Sequence, residues 1–375
     1  MSHKPYSFWL TFGLVLVMLA MAIGGCAPVA PAASTAPASE VPVAATKAPA
    51  AAPETQVVST KLPTELHIAA IFASTMEEPY SVSWMESFKR VQAEKPHGLN
   101  ITLDYTENVF GDSAAQALED YAKTGKYDII WATSSYSDQV KPLKAKYPNI
   151  LWVVSGSGNQ PLGGNVYMTY THRNEPGYLL GVVAGMMTKS NVLGVVAGYP
   201  SDDVNDVING YIDGAKSVNP NVKVKVTFIQ SWYDPTKAKE ATYALVASGA
   251  DYIFAERLGP FDACAEKGCF ALGTCVDQNY MSPKVVVSSE LVLWDPLMKS
   301  IVDAWVNHVT TGQAYNAPTE PIWFGMKDGG SDIAPFHDFE SILPANVLDK
   351  VKQLKADIMS GKLQVPYKVQ TPPSD

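Results

Sequence analysis

The chain lacks a basic surplus. Among 375 residues, 28 Lys and Arg stand against 37 Asp and Glu, a net charge of −9. That excludes the electrostatic footprint of a protein that grips nucleic acid or an anionic lipid surface. The local catalytic signatures are missing too. There is no Gly-x-Ser-x-Gly elbow, no Gly-x-x-x-x-Gly-Lys phosphate cradle and no His-Glu-x-x-His. Ser155-Gly156-Ser157-Gly158 is too short and wrongly placed for a dinucleotide fingerprint. His67, His172, His308 and His337 are scattered, with no nucleophile paired to any of them. The balance tilts towards binding without chemistry, with no cofactor and no metal. A membrane-spanning run is also absent. The apolar stretch from Phe8 to Ile23 has 16 residues, whereas a bilayer takes about 20.

That short stretch has another use. Lys4 precedes it, and Ile23-Gly24-Gly25-Cys26 closes it. A charged start, an apolar run and small residues at the cut make a secretory signal over residues 1–25. A Cys at the cut resembles a bacterial lipobox, so Cys26 is expected to carry lipid as the first residue of the mature chain. Residues 26–61 are dominated by Ala, Pro, Ser, Thr and Val, with no aromatic residue and almost no charge. Such a stretch cannot bury enough surface to offset its own ordering. It is expected to be an extended tether between anchor and body. Cysteine is otherwise scarce. Cys264, Cys269 and Cys275 remain, an odd number in an oxidising compartment. They leave open one short-range disulfide with a free thiol, or a metal site, although no His is near and the spacing fits no zinc pattern.

The body, about 300 residues from Leu62 to Tyr367, suits two domains. Apolar residues make up 47% of the chain and charged residues 17%, ordinary for a globular protein. Short β-branched runs alternate with helical segments. The strand-like runs are Leu66–Phe72, Ile101–Tyr105, Tyr127–Ala132, Ile150–Ser155 and Val166–Tyr170, then Asn191–Ala197, Val222–Ile229, Asp251–Ala255 and Lys284–Ser288. Asp112 and Ser113 offer a helix cap and Gly125 a stop, and Pro235 opens another helix. This alternation predicts an α/β fold with two doubly wound parallel-sheet lobes.

In such folds the loops after the strands gather at one edge and form the ligand site. Those loops carry hydroxyls, carboxylates and aromatics. Trp232 and Tyr80 are the aromatic candidates, either to stack on a flat heterocycle or to cap a core. Trp294 lines the cleft or covers a hinge. Trp84, Trp131 and Trp152 lie within periodic segments and belong to the core. Glu256, Asp277 and Glu290 are carboxylates at strand ends, placed to accept from a ligand or to form salt bridges. Ser134, Ser135 and Ser155 offer hydroxyls, or form turns.

Several segments together resemble one family. They are Gly177-Tyr178-Leu179-Leu180-Gly181-Val182-Val183-Ala184-Gly185, Gly194 to Pro200, Asn209-Gly210-Tyr211, Gly214 to Pro220, Ser231-Trp232-Tyr233-Asp234-Pro235 and Ser248 to Phe254. The chain resembles the basic membrane protein family of substrate-binding lipoproteins that serve ABC importers. Ala265-Glu266-Lys267-Gly268 to Asp277-Gln278 is similar to a further family segment. The resemblance implies a type I periplasmic-binding-protein fold with a three-strand hinge. Residues 62–172 and 292–322 would form the N-terminal lobe, and 173–291 and 323–368 the C-terminal lobe. It implies a purine-type ligand, with Trp232 and Tyr80 flanking the ring and Asp277 and Glu256 taking polar contacts. Many nucleoside-binding members carry an Asp-rich first loop followed by Ser-Phe-Asn. This chain has Glu77-Glu78-Pro79-Tyr80 and Trp84, which extends the expected ligands to a free base such as adenine. The expected partners are that solute and a membrane permease, with the protein a lipid-anchored monomer on the outer face of the cell membrane. A ligand-sensing receptor of the same fold is the alternative.

Overall fold

The computed structural model describes residues 61–375, so the expected signal segment, Cys26 and the tether up to residue 60 lie outside the described residues. The first half of the body runs β1 (Glu65–Ile71), α1 (Pro79–Glu94), β2 (Asn100–Thr106), α2 (Asp112–Lys123), β3 (Ile129–Ala132), α3 (Ser137–Lys146), β4 (Leu151–Ser155) and β5 (Val166–Thr171). Next come α4 (Asn174–Met187), β6 (Val192–Ala197), α5 (Asp202–Val218), β7 (Lys223–Phe228), α6 (Pro235–Ala247), β8 (Tyr252–Ala255), α7 (Pro260–Lys267), β9 (Phe270–Gly273) and β10 (Val286–Val292). The chain then forms α8 (Asp295–Thr311), β11 (Ile322–Phe324), β12 (Ser331–Ile333) and α9 (Ala345–Met359).

Two six-stranded sheets result, ordered β11-β5-β4-β3-β1-β2 and β12-β10-β9-β8-β6-β7. All pairings in the first are parallel, and in the second only β12 runs antiparallel, against β10. Successive side chains point to opposite faces and helices cover both faces of each sheet, so the strands are apolar on both sides. Leu66, Ile68 and Ala70 of β1 enter a core with Trp84 of α1 and Trp305 of α8, while Ala69 and Ile71 enter one with Leu118 of α2 and Val140 of α3. The second sheet repeats the plan. Leu193, Val195 and Ala197 of β6 pack beside residues of α4, α5 and α9, and Val196 packs beside residues of α6 and α7. Trp84, Trp131 and Trp152 are fully buried, the core role their periodic segments imply.

The α4–α5 pair is unusually close. A Cβ on Gly181 would come within 2.0 Å of the Tyr211 carbonyl oxygen, and one on Gly214 within 2.0 Å of the Tyr178 carbonyl oxygen. These glycines are required because backbone packs on backbone. The chain passes between the sheets from β5 to α4, from β10 to α8 and from β11 to β12. Because Ile322–Phe324 pairs with β5, the last passage lies beyond Phe324, two residues past the expected boundary.

Cys264 and Cys269 form a disulfide that ties the middle of α7 to the residue before β9, and Cys275 is buried as a free thiol. Among the described residues no group of His, Cys, Asp and Glu is placed to hold a metal ion. No described helix is long and apolar enough to cross a membrane.

Candidate functional site

A cavity of about 230 Å³ opens where the carboxyl ends of the two sheets meet. Ala73 and Ser74 follow β1, and Glu78, Tyr80 and Ser81 start α1. Phe110 follows β2, Thr133 to Ser135 follow β3, and Gly156 to Gly158 follow β4. From the second sheet, Ser201 to Val204 follow β6, Trp232 follows β7 and Arg257 follows β8. Arg173 stands on the passage into α4. This is the edge that open parallel sheets use for ligands.

Two cross-links join the halves over the cavity. Arg257 Nη1 donates to Glu78 Oε1 at 2.7 Å, and Ser157 Oγ donates to Asp203 Oδ1 at 2.6 Å. Glu78 is buried, which pushes its carboxyl above the usual range against the pull of Arg257. Its second oxygen accepts from the Ser81 backbone N–H at 3.1 Å and so caps α1. Trp232 is braced from two sides. The Arg257 guanidinium carbon lies 5.4 Å over its ring, and Tyr199 meets it edge-on at 4.9 Å. Tyr80 is braced by Trp294, edge-on at 5.1 Å. Burial pushes the Tyr80 hydroxyl well up, so it is a neutral donor at physiological pH.

Tyr80, Ser134 and Trp232 therefore line the cavity, as does Ser135. Five other expected contacts do not, each for a physical reason. Glu256 is fully buried and gives both carboxylate oxygens to Arg257. Glu290 is likewise buried, held in a two-pronged pair by Arg173 Nε and Nη2 at 2.9 and 3.0 Å, and accepts from Thr274 as well. Ser155 is enclosed, bonded to Trp131 Nε1 at 2.8 Å and to Thr169 at 2.7 Å. Trp294 is enclosed and donates to Ser83 at 2.9 Å, so it supports Tyr80 from behind. Asp277 lies off the cavity at a half-exposed position, 2.7 Å from His337 Nε2.

Arg173, Arg257, Glu78, the Asp202-Asp203 pair and Phe110 line the cavity without being among the expected contacts. Arg257 and Glu78 sat in the post-strand loops already singled out, and Asp202-Asp203 opens a helix directly after Pro200-Ser201. Arg173 carried one signal, a lone cation directly after a strand at a lobe boundary.

Residues 67–369 match the model of a family described as ABC transporter substrate-binding protein, PnrA-like. The chain belongs to that family. Members of this PnrA-like family bind a small molecule outside the cytoplasm and work with a membrane permease; they are not enzymes. A purine-binding protein of Brucella abortus is 26% identical over 294 residues, covering 76% of this chain and 79% of its own. A putative ABC transporter glucose-binding protein of Haloferax volcanii is also 26% identical, over 292 residues, covering 76% of this chain and 70% of its own. An ABC transporter solute-binding protein structure from Aeropyrum pernix superposes with a TM-score of 0.68 at 16% identity. It covers 81% of this chain and 94% of that one. That likeness shows the two-lobed α/β fold of periplasmic solute-binding proteins.

Proposed function

We propose that this PnrA-like protein captures a purine-type solute, a nucleoside or a free base such as adenine, and delivers it to an ABC permease. The observation that carries the reading is the cavity wall itself. Tyr80 and Trp232 enter it from opposite lobes, each held by a second aromatic side chain. A flat heterocycle between them gains about 1–3 kcal/mol for each stacked face. Ser134 and Ser135 supply hydroxyls to its edge. The purine-binding relative of Brucella abortus supports the ligand class. A solute that touches both lobes stabilises the closed form by its differential affinity, and that closed shape is what the permease engages.

The mature protein is held to the membrane through lipid on Cys26, and residues 26–61 give the body its reach. Cys26→Ala is expected to move it from the membrane fraction to the wash.

Calorimetry with adenine, adenosine, guanosine, inosine and glucose tests the ligand. Heat with at least one purine is expected. Trp232→Ala should weaken that binding by the loss of one stacked face, about 1–3 kcal/mol or roughly 5- to 150-fold. Glucose binding without any purine binding would overturn the reading.

A further inference from the structure

Carboxylates outnumber guanidinium groups around the cavity. Glu78, Asp202 and Asp203 line it, with Glu256 and Glu290 behind, and among the lining residues the cations are Arg173 and Arg257. Both guanidinium groups are engaged. Arg257 gives Nε and Nη2 to Glu256, and Nη1 to Glu78 and to the Trp232 carbonyl at 3.2 Å. Arg173 gives Nε and Nη2 to Glu290, while its Nη1 stands 4.0 Å from Asp203. At Arg257 an arriving anion would have to draw the guanidinium away from a fully buried carboxylate and leave that charge unpaired, which is strongly unfavourable; at Arg173 the nitrogen outside the Glu290 pair, Nη1, lies beside Asp203, whose charge repels an anion.

The helix ends give an independent argument. At the carboxyl edge of doubly wound sheets, helix N-termini are ready-made anion sites. At α1, α3, α5 and α6 the chain's own oxygens occupy them, whereas α2 and α7 start without a side-chain cap. Glu78 accepts from Ser81 N at the start of α1. Asn159 Oδ1 accepts from Tyr136 N and Ser137 N, 2.9 and 2.8 Å, at α3. Asp203 Oδ1 accepts from Val204 N at 3.0 Å inside the first turn of α5, with Asp202 beside it. Asp234 accepts from Lys237 N at 3.0 Å at α6.

We propose that the cavity selects by charge: it takes an uncharged or positively charged solute and refuses phosphate esters and other anions. This deepens the purine-type reading and rests on it for the choice of probes. The functional consequence is that the protein collects dephosphorylated solutes, so a phosphate-removing reaction must precede uptake wherever the source is a nucleotide.

Calorimetry on the wild-type protein should compare adenosine with three 5′-derivatives: the monophosphate, the amino-deoxy analogue and the methylthio analogue. The methylthio group adds bulk without charge. Adenosine, the amine and the methylthio compound are expected to bind, and the monophosphate to bind at least about a hundred-fold more weakly than adenosine. A monophosphate that matches adenosine overturns the proposal. So does joint loss of the monophosphate and the methylthio compound, because bulk then explains both. If none of the four binds, it is the purine reading that fails, and inorganic phosphate still decides on charge. An unchanged thermal midpoint in millimolar phosphate at constant ionic strength supports selection by charge, and saturable stabilisation overturns it.

Discussion

Asp277 and Glu290 look alike in the sequence, since each is a carboxylate near the end of a strand. Burial separates them. Glu290 is fully enclosed and holds Arg173 in a two-pronged pair across 117 positions of chain. Asp277 is half exposed and meets His337 at the surface. Removing one member of a buried pair leaves the other charge uncompensated, at about 3–5 kcal/mol. A half-exposed pair contributes about 0–1 kcal/mol. Glu290→Ala is therefore expected to lower unfolding free energy by about 3–5 kcal/mol in urea, and Asp277→Asn to leave stability and ligand affinity near wild type. Equal effects of the two substitutions would refute the assignment. The contrast also marks what single residues reveal in sequence. Position in a post-strand loop brings Tyr80, Ser134 and Trp232 to the cavity wall. It does not say whether a carboxylate meets the ligand or a guanidinium, because the partner is fixed by the fold and lies far away in the chain.

At the scale of elements, the long signals were legible and the short ones were not. Nine β-branched runs fall on β1 to β8 and β10, with small shifts at their ends except at β10, which runs four residues past Ser288 to Val292. β11 and β12 have three residues each, too few for a period of two to stand out, and β9, Phe270–Gly273, contains no β-branched residue. Asp112 and Ser113 do not cap α2: Gly111 holds the cap position, the two residues form the first turn, and Ser113 bonds back to Phe110. The spacing of Gly177, Gly181 and Gly185 also has a direct physical reading. Four-residue steps keep them on one side of α4, and each would place a Cβ within 2.7 Å of α5 backbone. Gly181→Val puts branched carbon where the Tyr211 carbonyl already sits 2.0 Å from a Cβ position. The helices must separate, and overpacking of this kind costs typically about 1–3 kcal/mol, occasionally more. A lower urea midpoint with an unchanged m-value is expected. An unshifted midpoint would mean that α4 and α5 have room to spare.

Across the whole molecule, the last residues tie back onto the second lobe. Asn174 Nδ2 donates to the carbonyls of Val365 and Pro366, Asn205 to Val369, and Asn209 to Lys368 and Gln370. Asp206 sits among them, buried, and accepts from the backbone N–H groups of Asn174 at 3.2 Å and Lys368 at 3.1 Å. It thus joins the passage into α4 to the returning tail. Burial pushes its carboxyl up to about 7 from an ordinary 3.8, with Asp203 adding to the rise and the two backbone bonds and Arg173 opposing it. Between those two values the folded chain holds a proton that the unfolded chain has released. The stability this group contributes is therefore full below about pH 4 and is lost as pH rises through about 7, a span of at most about 4 kcal/mol. Glu78 and Glu175 are raised in the same sense, whereas Asp295 and Asp357 are lowered and act oppositely. The readout is accordingly the difference between wild type and Asp206→Asn, not either curve alone. The amide keeps an acceptor for the backbone and cannot ionise. Its stability relative to wild type should rise from about pH 4 to about pH 7 and level off above that in parallel urea melts. A difference that stays flat over that range would show that Asp206 is ionised throughout, and that the join between the tail and the passage into α4 tolerates a buried negative charge.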